Sequence, residues 1–81
     1  MRRHRHDFVE KYHGIMAFGY SREEDERSLI AFLQKFSDDE LMELLRGRVS
    51  DSEIENLVDL LTGLMKKHLS DEEYHHYFLK D

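Results

Sequence analysis

The chain has 81 residues, 40% hydrophobic and 37% charged, with a net charge of −6 and no cysteine. That length suits one small domain; the balance is too apolar for a disordered chain and too charged for a membrane protein, and no run approaches the ~20 apolar residues of a membrane span. The missing thiols exclude disulfides, thiolate metal sites and thiol catalysis, and the acidic balance repels phosphate backbones wherever positive charge is not concentrated.

Positive charge is concentrated once, in MRRHRH at 1–6. This stretch reads as a basic, mobile N-terminal arm, a frayed terminus by default. Arg2, Arg3 and Arg5 are its candidates for touching an anionic partner, and His4 and His6 form a weak H-x-H metal pair. Residues 7–81 read as a single helical domain.

The first helix is expected over 7–18, opened by Asp7 and Glu10, with Phe8, Tyr12, Ile15 and Met16 on its apolar stripe. Gly14 lies inside it, and Gly19 follows it as a stop. A second helix over 21–36 starts at the Ser21/Glu24 pair and offers Leu29, Phe32, Leu33 and Phe36. SDDELMELL at 37–45 predicts a third helix near 38–46, capped by Ser37, with Leu41, Leu44 and Leu45 inward and Gly47 as its stop. SDSEIENLV at 50–58 opens a fourth, over 51–68, with the widest stripe: Ile54, Leu57, Val58, Leu61, Leu64 and Met65. Gly63 inside that helix suggests close packing, Lys66 and Lys67 suit its C-terminal dipole, and His68 falls on the stripe in its last turn. SDEEYHHYF at 70–78 starts a fifth helix, 71–79, offering Tyr74, Tyr77 and Phe78.

These last three starts share the pattern Ser-Asp-x-Glu followed by apolar residues. Each fixed position has a physical role at a helix start. Serine accepts a bond from a free N–H, glutamate three residues on reaches back to the serine N–H, and aspartate meets the positive end of the dipole. Their unequal spacing argues for independent caps rather than an internal repeat. The expected fold is an all-α compact bundle of about five short helices, with the fourth, about 51–68, central.

SDEEYHHYF also resembles a metal site on composition, and Glu10, His13, Glu72, His75 and His76 would be the ligands of a carboxylate/histidine bundle. The helical phase argues against it. At ~100° per residue, Glu72 and His76 lie ~160° from Tyr74, on the outer side of their helix. Glu73 and Glu10 are also used as capping residues. No metal and no cofactor is expected.

Nucleophilic catalysis finds no support. Every serine except Ser28 sits at or beside a cap, and neither a G-x-S-x-G elbow nor a glycine-rich phosphate loop occurs. A helix-turn-helix over 38–68 would present Asp51, Glu53, Glu55, Asn56 and Asp59 to DNA, and four of these five repel phosphate. The expectation is therefore a small cytosolic helical protein–protein interaction or regulatory module without catalytic activity. The alternatives are a metal-binding bundle and a nucleic-acid-associated regulator acting through its arm. The expected partner is another protein or a second copy of the chain, with no membrane. Met42 and Leu60, on the flanks of their stripes, are the interface candidates. Ser50→Ala is expected to cost ~1 kcal/mol, and more than Ser28→Ala, because Ser28 is not at a helix start.

Overall fold

A computed structural model describes residues 6–12, 14 and 16–81. The arm residues Arg2, Arg3 and Arg5, the candidate ligand His13 and the stripe residue Ile15 lie outside the described residues. The fold is all-α: α1 (Asp7–Lys11), α2 (Arg22–Phe36), α3 (Asp39–Leu45), α4 (Asp51–His68) and α5 (Asp71–Glu73), which runs on as a π-helix over Tyr74–Leu79. No strand occurs among the described residues. The chain divides after Arg48 into two compact units.

In the first unit the segment before α2 is laid antiparallel along that helix. Hydrogen bonds among the described residues fix its register. His6 Nε2 meets Ser37 Oγ at 2.9 Å, and the Val9 N–H donates to Gln34 Oε1 at 3.0 Å. Further along, the Ala17 N–H donates to Ser28 Oγ at 3.0 Å, and the Gly19 N–H to Asp25 Oδ1 at 2.8 Å. Ser28 and Ala31 have no exposed surface, and Val9 retains 6%. Small side chains at 28 and 31 let the incoming backbone approach closely. Phe8 stacks on Tyr12 with ring centres 5.6 Å apart, and Phe18 meets Phe32 edge-on at 6.1 Å.

Several expectations are corrected here. The first helix ends at Lys11, not near 18, and Tyr12 is already extended. Gly14 is a poor helix former and packs so close to the Tyr12 ring that a Cβ would meet its Oη at 3.0 Å. Beyond it, the Ala17 and Gly19 N–H groups bond to α2 side chains. Gly19 does take a left-handed φ of 91°, but it turns the chain into α2 instead of ending α1. Asp7 is the first helical residue, not the cap; His6 holds that position.

The packing face of α2 is also rotated from the expected one. Leu29, Phe32 and Leu33 stay 42–50% exposed, while Ser28 and Ala31 are buried. The decisive demand is the Ala17 N–H, which needs an acceptor that leucine and phenylalanine cannot supply. Ser37 does not cap α3. It closes the last turn of α2, its N–H donating to the Leu33 carbonyl at 2.9 Å, with a ψ of 10°. A cap needs extended backbone, and Asp38 (ψ 140°) provides it, accepting from the Glu40 N–H at 3.2 Å. Gly47 carries no positive φ, and α3 leaves through a turn in which the Arg48 N–H donates to the Leu45 carbonyl at 2.9 Å.

The second unit holds α4, α5 and the π-helix. Both helix starts carry complete reciprocal caps. Ser50 Oγ accepts from the Glu53 N–H at 3.1 Å while Glu53 Oε1 accepts from the Ser50 N–H at 2.8 Å, and Ser70 and Glu73 repeat both bonds. The π-helix stacks Tyr74 on Phe78, ring centres 5.4 Å apart. It ends where Lys80 adopts a φ of 63°, with the Asp81 N–H donating to the His75 carbonyl at 3.1 Å.

Candidate interaction surface

Helix α4 is the longest helix, and its phase is set locally. The Ser50 cap starts it, and Lys66, Lys67 and His68 occupy its last turn, where cations meet the negative end of the dipole. Its apolar residues recur every three or four positions and share one face. None of them is buried. Ile54, Leu57, Val58, Leu61 and Leu64 are 39–55% exposed, and only Met65 is half-buried. These residues were expected in the core. Within its own unit α4 has only the short α5 and the π-helix as neighbours, too little surface to cover an 18-residue stripe. A contiguous exposed apolar face of this kind marks an interaction site far more often than scattered single residues do.

Leu60 stands beside the stripe and is 61% exposed, the largest value among the leucines of α4. Met42, the other interface candidate, is half-buried on α3. The flanks carry segregated charge. Asp51, Glu53, Glu55 and Asp59 fill the N-terminal half, and the cations lie in the last turn. No ion pair engages Glu55, Lys66 or Lys67 among the described residues. Glu55 and Asp59 are an i,i+4 pair of like sign.

Of the candidate metal ligands, Glu10, Glu72, His75 and His76 are among the described residues and His13 is not. Glu10 belongs to the first unit, and Glu72, His75 and His76 belong to the second. Among the described residues no three ligand-type side chains converge. His75 Nδ1 lies 3.0 Å from Asp81 Oδ2, an exposed pair across the end of the π-helix. Glu72 and His76 line a shallow surface recess with Glu73 and Tyr77 and make no ion pair among the described residues. His68 is exposed at the end of α4.

Small clefts also occur among the described residues. One, of about 380 Å³, is lined by Phe8, Lys11, Tyr12, Gly14, Glu24 and Arg27 in the first unit. Another, of about 240 Å³, lies in the second unit between the end of α4 and Tyr74, with Met65 and Leu69 in its wall. Neither gathers a nucleophile with a base. The Arg22 guanidinium, donating to Glu26 Oε2 at 2.7 Å, has its pKa raised by that bond and by the Glu26 charge; it is an exposed helix pair.

Ser28 is the residue that sequence reasoning undervalued. One signal was present: it is the single serine away from every helix start. A mid-helix serine is worth asking for its partner, because its hydroxyl can accept a backbone N–H from elsewhere.

No family model matches the chain, and no curated protein or solved structure matches it. No helix among the described residues is long and apolar enough to cross a membrane.

Proposed function

We propose that the chain is a non-catalytic, cytoplasmic protein-interaction module that docks a protein partner along α4. The observation that carries this reading is the exposed stripe Ile54, Leu57, Val58, Leu61 and Leu64, 39–55% open on one capped helix. Covering such a face excludes water from five aliphatic side chains, at roughly 25 cal/mol per Å² of apolar area removed. The rim of acidic and basic side chains would set the orientation of the partner more than its affinity.

The test is site-specific photo-crosslinking inside the native host. A crosslinking residue replacing Leu57 should join the chain to a protein, and the same residue replacing Gly63, on the opposite face of α4, should not. A folded protein that crosslinks to nothing through Leu57 refutes the reading. So would loss of helicity, independent of protein concentration, in Leu57→Lys with Leu61→Lys, because those leucines would then be core.

A further inference from the structure

We infer that the partner on α4 is a second copy of the chain, paired antiparallel helix against helix about a two-fold axis near Leu60. This deepens the interaction reading and rests on it.

The argument is charge complementarity. On α4 every acidic residue precedes Leu60 and every basic one follows it. Opposite charges are never three or four residues apart, so the helix cannot pair them internally. Parallel pairing would stack like charge on like charge. Antiparallel pairing reverses one helix and places acid opposite base at both ends. The helical phase agrees in detail. At ~100° per residue, Glu53, Leu60 and Lys67 fall on one flank of the stripe, and Glu55 and Lys66 on the other, roughly 80–140° from its centre. In an antiparallel pair each flank meets its own counterpart.

With the axis at Leu60, Glu53 therefore faces Lys67 of the second copy, and Glu55 faces Lys66. Leu60 meets itself. Glu53 uses Oε1 for its cap bond, which leaves Oε2 for the partner. A capped helix of 18 residues, ~27 Å long, offers a self-complementary patch of the sort that closes a two-fold dimer. The exposure of Leu60, at 61%, fits a residue that finds its cover only on the axis.

The experiment compares three chains by light scattering and analytical sedimentation, with helicity followed by circular dichroism. The first is wild type. The second is Lys66→Glu with Lys67→Glu. The third is Glu53→Gln with Glu55→Lys, which keeps a capping side chain at position 53. Wild type should be dimeric. Each variant alone should dimerise about tenfold more weakly or worse, since several exposed attractions turn neutral or repulsive. The two variants mixed should form a heterodimer of near wild-type affinity, because each supplies the charge the other lacks. Leu60→Glu should be a folded monomer. A monomeric wild type, or mixing that restores nothing, overturns the self-pairing. If Leu57 still crosslinks in that case, it does so to a different protein and the interaction reading stands; if it crosslinks to nothing, both fall.

Discussion

Replacing Ser28 by alanine removes one oxygen from a position with no exposed surface. That oxygen accepts the Ala17 N–H at 3.0 Å, in the segment laid along α2. Alanine creates almost no cavity, so the cost comes from the stranded donor. Leaving a buried polar group unsatisfied costs about 1–3 kcal/mol. Alanine returns roughly 0.5 kcal/mol through its better helix propensity. Ala17 is half-buried rather than sealed, which favours the lower part of the range. The expected net loss is about 0.5–1.5 kcal/mol, a fall in Tm of a few degrees in a chain this small. Ser50→Ala should cost about as much, ~1 kcal/mol, because water can partly replace the cap at an exposed helix end. Ser28, expected from its position alone to matter less than Ser50, thus comes level with it. Urea titration measures the stability, and amide exchange at Ala17 reads the bond directly; Ser52→Ala, at an exposed site, serves as the control. A Ser28→Ala chain that matches the control in both stability and Ala17 exchange would show that the bond contributes nothing and that the packing argument for α2 is wrong.

Gly63→Ala should stabilise α4 by about 1 kcal/mol in thermal melts, since a Cβ there meets nothing within 4 Å and alanine is the better helix former. Gly19→Ala should do the opposite, losing about 1 kcal/mol or more, because its φ of 91° is unfavourable for any side chain; an unchanged melt would mean that turn relaxes freely. Ser70→Ala should fray the start of α5 by ~1 kcal/mol, seen as faster exchange at the Glu73 amide, whose acceptor is Ser70 Oγ. His75→Ala and His76→Ala should each move Tm by only a degree or two, the exposed His75–Asp81 pair being worth well under 1 kcal/mol, and protein purified without a nickel column should contain no stoichiometric zinc, iron or manganese by mass spectrometry.

The sequence by itself determined the features whose partners lie within one turn of each other. Ser50 with Glu53 and Ser70 with Glu73 close reciprocal bonds three residues apart, so any chain carrying those letters at a helix start can form them. The span of α4, the start of α2 at Ser21 and the shared face of Ile54, Leu57, Leu61 and Leu64 are legible for the same reason. Even there, competition between neighbours escapes local reading: Ser37 matched the cap pattern, but α2 claimed it for its last turn. Only the tertiary structure decided what depends on residues far apart in the chain. The Ala17 N–H selected Ser28 and so chose which side of α2 is buried. Val9 was buried and its N–H fixed by Gln34, 25 residues away. Ala17 lies within the span expected of the first helix, but a backbone donor satisfied by a distant side chain no longer needs a carbonyl four residues back. The exposure of α4 follows from the same logic: periodicity shows that a helix has an apolar face, and only the surrounding elements determine whether anything in the fold covers it.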